Sequence, residues 1–361
     1  MSLKTSMASK RRRIPTALAI AAVSTLAALG IAEGLVRVFV PQQQTVLLGH
    51  IRQTAADKYR VTEPLFANDP ELFWQLTPNM SMPTDHWLFP GLVSNPQGLR
   101  EDHIISVRKP PGQIRILSIG DSTTFGLYVK HTETYTHVAE QILQSRLENP
   151  RIEFINAGVP GYTLFQAWRY LVTKGTTFDP DLILIHCGWN DMASWEHMSD
   201  SEHYRQQQAI QPIRGLRWSR LCQLLWSVRL LSTPETDHDQ PQPRVRPKEF
   251  HDLLVKINEY TTLHDMAMLL LIPGSTRDIT INLEKDSRNQ MQMEQVRFGH
   301  RIDLDPVSPG HIDCVQLLKK MAREHAVTEI FHDNFHPTRL AHQQIGLALA
   351  DKLEQWIHSR Q

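Results

Sequence analysis

Five short apolar runs limit what this chain can fold into. Ile114–Ile119, Ile152–Asn156, Leu182–His186, Met266–Ile272 and Val327–Phe331 have strand length and are rich in Ile, Leu and Val. Between and after them come stretches of helical pattern: Tyr135–Leu147, Leu164–Gly175, Glu249–His264, Gly310–Ala326 and a final helix over Pro337–His358. Strand and helix in alternation predict an α/β fold with a parallel sheet and helices on both faces. Leu182–His186 is nearly all aliphatic, which a strand buried on both faces requires.

Four polar stretches interrupt the chain at or near the ends of the predicted strands. They are Gly120-Asp121-Ser122, then Asn156-Ala157-Gly158-Val159-Pro160-Gly161-Tyr162-Thr163, then Gly188-Trp189-Asn190-Asp191, then Asp333-Asn334-Phe335-His336-Pro337. In an open parallel sheet the carboxyl ends of the strands share one edge, and ligands bind there. The residue types suit acyl transfer. Ser122 can be a nucleophile if a base takes its proton, and His336 is a candidate base. Asp333, three residues earlier, can orient the imidazole. The N–H groups of Ser122 and Gly158 and the side-chain amide of Asn190 can bind an oxyanion. Each piece also has an ordinary structural use. Asp121 and Ser122 favour helix starts, as do Asn190 and Asp191, and Gly158 can be a turn glycine. His186, His332 and His342 lie near the same stretches and compete with His336.

Taken together, the four stretches resemble the four blocks of the SGNH hydrolases, also called GDSL esterases and lipases. The family's Ser, Gly, Asn and His match Ser122, Gly158, Asn190 and His336, and its Asp matches Asp333. The resemblance covers about residues 114–361 without the insertions. It implies a flavodoxin-like three-layer α/β/α sandwich and a Ser122–His336–Asp333 triad. It also implies an oxyanion hole from Ser122, Gly158 and Asn190, with no cofactor and no metal. The Gly-x-Ser-x-Gly elbow of the α/β-hydrolases is absent around Ser122. Thr123 replaces the family's frequent Leu, and the bulky Trp189 is expected to narrow the acyl pocket.

The first 37 residues have a different character. Lys4, Lys10, Arg11, Arg12 and Arg13 precede an apolar run from Ile14 to Ala32, closed by Glu33 and Arg37. The run is long enough to span a bilayer, and the basic cluster is expected to stay cytoplasmic. The expected organisation is a cytoplasmic N-terminus at 1–13, a transmembrane signal anchor at 14–37, an accessory segment at 38–110 and a hydrolase domain at 111–361. A cleaved signal peptide is the alternative for the anchor. The catalytic body then lies outside the cytoplasmic membrane, in the periplasm of a Gram-negative cell. Insertions are expected near 192–248 and 273–309, the first with a Pro- and Gln-rich surface loop at 233–247, the second carrying Met291 and Met293 as part of a substrate wall.

Charge excludes one class of partner. The chain has 38 Lys and Arg and 38 Asp and Glu. Six of the basic and one of the acidic residues fall in 1–37, which leaves the body mildly acidic, 32 against 37. No nucleic-acid surface is expected. Cys187, Cys222 and Cys314 have no metal-site spacing, and isolated thiols are expected. The leading expectation is a serine esterase acting on an acylated glycan or a lipid ester. An acyltransferase of the same fold and a non-catalytic envelope scaffold are the alternatives.

Overall fold

The computed structural model describes residues 16–40, 46–59, 64–147, 151–194, 198–210, 218–230, 242–280 and 302–360. The cytoplasmic stretch expected at 1–13, most of the surface loop at 233–247, and Met291 and Met293 lie outside these. The chain divides into two compact units, residues 1–43 with 206–235, and residues 44–205 with 236–361.

In the smaller unit the helix Thr16–Phe39 is long and apolar enough over Leu18–Phe39 to cross a membrane. Its side chains there are mostly exposed. Glu33 near its end has a second task. Its carboxylate accepts from Ser219 Oγ at 2.7 Å and from the N–H groups of Arg220 and Leu221 at 2.9 Å each. Those are the first N–H groups of the helix Arg220–Leu230, so Glu33 supplies its N-terminal acceptor.

The larger unit holds a five-stranded sheet. With a preceding hairpin of β1 (Phe66–Asp69) and β2 (Phe73–Leu76), its strands are β3 (Ile114–Gly120), β4 (Ile152–Gly158), β5 (Leu182–His186), β6 (Ala267–Ile272) and β7 (Gly310–Asp313). All five are parallel, in the order β4-β3-β5-β6-β7. This is the flavodoxin-like order, with its switch point between β3 and β5. Alternation along β3 splits the core. Leu117 and Ile119 point to one face, with Leu164, Leu171, Leu254 and Ile257 of two helices. Ile116 points to the other, with Ala139, Leu143, Ile345 and Leu349. These are the three layers.

The accessory segment shares this core. Leu72, Phe73, Trp74, Leu88 and Leu99 are buried in the same cluster as Leu117 and Ile155. Trp74 Nε1 donates to Pro160 O at 3.2 Å, and Trp74 O accepts from the Tyr162 hydroxyl, Oη, at 2.8 Å.

Three expectations about elements are corrected. Val327–Phe331 is not the fifth strand: Val327–Ile330 is a helical turn. Its start is closed by Ala326 N–H donating to Glu329 Oε2 at 2.8 Å. The fifth strand is β7, inside the stretch expected to be helical. It is a four-residue edge strand, His311 and Ile312 at its centre, too short and too polar to show as an apolar run. The helix after it starts only at Cys314, where Asp313 Oδ1 accepts from Val315 N at 2.9 Å and Gln316 N at 3.2 Å. The last helix runs Arg339–Ser359 with Thr338 as its N-cap, and Pro337 instead bridges to Phe331.

Candidate active site

Ser122 sits where β3 becomes the short helix Ser122–Phe125. The turn needs Gly120, because a Cβ there would lie 2.1 Å from Thr124 Oγ1 and 2.5 Å from His186 O. Asp121 caps the helix, its Oδ1 accepting from Thr123 N–H at 2.9 Å. Asp121 is buried, and desolvation pushes its carboxyl up to about 6.

The loop 331–337 arrives from the far end of the sequence. His332 N–H donates to His336 O at 2.9 Å, and Thr276 N–H ties Asn334 O at 3.0 Å. Ser122 Oγ lies 2.7 Å from His336 Nε2. His336 Nδ1 lies 2.9 Å from Asp333 Oδ1 and 2.8 Å from Oδ2. Asp333 Oδ1 also accepts from the N–H groups of Phe335 at 2.9 Å and His336 at 3.0 Å. Burial alone would raise this carboxyl. The His336 hydrogen bond and charge and the two backbone N–H groups outweigh it and hold Asp333 well below the usual carboxylate range. An ionised carboxylate only accepts, which assigns the imidazole proton to Nδ1 and leaves Nε2 to accept from Ser122 O–H. The arrangement can therefore activate a serine by general base.

The three competing histidines make other contacts. His342 is buried, accepts from Tyr135 N–H at 3.1 Å through Nδ1, and is pushed down to about 3 by burial. His186 lies edge-on to Tyr135. His332 stacks on Tyr128, ring centroids 4.8 Å apart.

The expected oxyanion donors have separate positions. Ser122 N–H opens the short helix and has no partner among the described residues. Asn190 Nδ2 donates to Tyr162 O at 3.1 Å, and reaches Asp121 Oδ2 only at 3.5 Å. Its second N–H is thus weakly held. Gly158 departs from the expectation. It is level with Gly120 across β3 and β4, and a Cβ would lie 2.3 Å from Phe125 N, so glycine is needed for packing. Its N–H is already given to Asn156 Oδ1 at 3.0 Å. Three residues on, Gly161 has φ +84° and an N–H with no partner among the described residues. Its carbonyl is gripped by Arg244 Nη1 at 2.6 Å. Gly161 was readable as the second glycine of Asn-Ala-Gly-Val-Pro-Gly, but nothing in the sequence ranks it over Gly158.

Arg244 had no signal at all. It is fully buried, paired with Asp200 through Nε–Oδ1 at 2.9 Å and Nη2–Oδ2 at 2.8 Å, and also bonded to Gln166 Oε1 at 2.7 Å. It thereby fixes the loop after β4. Asp191 is buried too, caps the helix Leu164–Thr173 through Leu164 N–H at 2.8 Å, and is pushed up to about 8 by desolvation. Trp189 packs on Phe335 at 5.1 Å, beside His336 in sequence.

Comparison with known proteins bears on the same stretch. Residues 118–278 match the model of the GDSL-like Lipase/Acylhydrolase family. No curated protein matches. Among solved structures, LAE5, an alpha/beta hydrolase enzyme from the metagenome of Lake Arreo, is 20% identical with a TM-score of 0.42, covering 67% of this chain and 95% of its own. Axe2, an acetylxylan esterase from Geobacillus stearothermophilus, is 17% identical with a TM-score of 0.44, covering 69% and 96%. A putative lipolytic protein of the G-D-S-L family from Desulfitobacterium hafniense is 12% identical with a TM-score of 0.41, covering 66% and 99%. By this match, which contains Ser122, Gly158 and Asn190, the chain is similar to the GDSL-like lipases and acylhydrolases, and it is a carboxylic ester hydrolase.

Proposed function

We propose that the chain is a serine esterase that removes an O-acyl group from a glycan or lipid ester outside the cytoplasmic membrane. The observation that carries this is the continuous chain Ser122–His336–Asp333, with bonds of 2.7 and 2.8–2.9 Å. His336 Nε2 takes the Ser122 proton as Oγ attacks the ester carbonyl. Asp333 keeps the ring in the tautomer needed and stabilises the imidazolium that forms. The same proton then goes to the leaving alcohol, which departs and leaves an acyl-Ser122 ester. Water, deprotonated by His336, releases the acid. The oxyanion of each tetrahedral intermediate is held by Ser122 N–H and Asn190 Nδ2. We place the third donor at Gly161 rather than Gly158, because the Gly158 N–H is already used.

Asn190→Ala is expected to lower kcat by roughly a hundred- to a thousand-fold, the usual effect of losing one oxyanion donor. KM should change little. A raised KM with unchanged kcat would make Asn190 a substrate-binding residue instead.

Two features support retention of the N-terminal helix as an anchor. It is apolar over a bilayer's thickness, and its Glu33 caps a helix belonging to an internal segment. Removal of residues 1–37 would leave those N–H groups without that acceptor. Membranes washed at high salt should retain the full-length protein, and protease added to spheroplasts should digest the body. Full-length protein recovered in the soluble fraction would contradict the anchor.

The function itself is tested by offering the purified full-length protein acylated glycans and lipid esters of several chain lengths, with and without a glycan acceptor. Release of free acid that depends on Ser122 supports the esterase. Acyl groups appearing only on the acceptor would make the chain an acyltransferase. Neither product would leave it a scaffold.

A further inference from the structure

Tyr128 stands beside the triad in a conformation that a tyrosine rarely adopts. Its φ is +69°, a left-handed backbone that costs a bulky residue energy and persists only where the surroundings impose it. The surroundings here are explicit. Tyr128 N–H donates to Leu88 O of the accessory segment at 2.9 Å. On either side, the buried guanidinium of Arg100 holds the carbonyls of Gly126 and Val129 at 2.6 Å each, and that of Phe125 as well. The short loop is therefore clamped at both ends, and its middle residue is the strained one.

The clamp puts the Tyr128 side chain on the triad. Its hydroxyl donates to Asp333 Oδ2 at 3.2 Å. Its ring meets His336 edge-on, centroids 5.7 Å apart, and stacks on His332. Asp333 Oδ1 is fixed by two backbone N–H groups. Oδ2 has no such backbone support among the described residues, only His336 Nδ1 and Tyr128. A carboxylate held at one oxygen can still swing its other oxygen out of the imidazole plane.

We propose that Tyr128 is a positioning residue: its hydroxyl fixes Asp333 Oδ2 against His336, and the accessory segment, through Leu88 and Arg100, holds it in the strained backbone that makes this reach. The proposal rests on the reading of Ser122, His336 and Asp333 as the triad.

The test is Tyr128→Phe, which keeps the ring and removes only the hydroxyl, made in the full chain alone and in the Asp333→Ala background. The readout is the rate at which a fluorophosphonate labels Ser122, together with kcat and KM. Tyr128→Phe should slow labelling and lower kcat about tenfold, the scale of one hydrogen bond to a charged group, with KM within about twofold. In the Asp333→Ala background the same change should alter labelling by less than about twofold, because the group it acts through is gone. Equal slowing in both backgrounds, or no slowing in the first, overturns the role of Tyr128 while leaving Ser122 as the labelled nucleophile. An unlabelled Ser122 in a protein that still hydrolyses esters overturns the triad reading itself, and this proposal with it.

Discussion

Ser122→Ala is expected to abolish ester hydrolysis, with a loss of about a million-fold in kcat, the scale seen when a triad nucleophile is deleted. The size follows from the geometry. Ser122 Oγ is the oxygen within hydrogen-bond reach of His336 Nε2, so no neighbouring hydroxyl inherits its proton acceptor. Thr123 and Thr124 do not substitute: both are buried, and Thr124 Oγ1 is bonded to the Tyr135 hydroxyl at 2.8 Å. The fold should survive. Ser122 opens a four-residue helix whose cap is the Asp121 side chain, and its hydroxyl makes no contact needed for the turn at Gly120. Measured kcat and the thermal midpoint decide it together: a variant that keeps its midpoint and more than a few per cent of its activity removes Ser122 from the mechanism.

His336→Ala is the second large loss, expected to approach that of Ser122→Ala, because nucleophile and base act as a unit and their effects do not add. Asp333→Asn should cost less, about ten-thousand-fold, since an amide at that position favours the wrong tautomer but leaves the oxyanion donors intact. The base must be neutral, so kcat should rise with pH through one ionisation. Asp333 is held well below the usual range and stays a carboxylate across that rise. Asp121, pushed up to about 6 by desolvation, is the other group beside Ser122 whose ionisation could give a rise. Asp121→Asn keeps an acceptor for the Thr123 N–H, so the rise should persist in that variant. If His336→Ala keeps wild-type turnover, the base lies elsewhere and His332, stacked on Tyr128, is next to be replaced.

The strands that carry the site were legible because each is a short, mainly apolar run that is almost wholly buried. β3, β5 and β6 lie within a residue or so of where their aliphatic residues predict them, and β4 runs two residues further, to Gly158. β7 was not legible, since an edge strand of four residues needs no apolar run. The mistaken fifth strand, Val327–Phe331, shows the converse. Five residues of mixed apolar character do not decide between strand and helix, and the Glu329 contact with Ala326 N–H decided for a helical turn.

The site divides in the same way. Ser122, Asn190, Asp333 and His336 stand at polar breaks after apolar runs, and their chemistry is visible in their types. What positions them is long-range. Arg100 reaches a loop 25–29 residues ahead, and Arg244 reaches back 83 residues to Gly161. A buried arginine gripping main-chain carbonyls leaves no local pattern. The choice between Gly158 and Gly161 is hidden for a related reason: it turns on where the Asn156 side chain points.

Activation of the Ser122 hydroxyl by His336 is the step on which the proposed reaction depends. Full-length protein treated with a fluorophosphonate, digested and mapped by mass spectrometry tests it most directly. One adduct is expected, on the peptide containing Ser122, absent in Ser122→Ala and formed far more slowly in His336→Ala. Ester hydrolysis that continues while Ser122 stays unmodified, or an adduct on another serine, would contradict it.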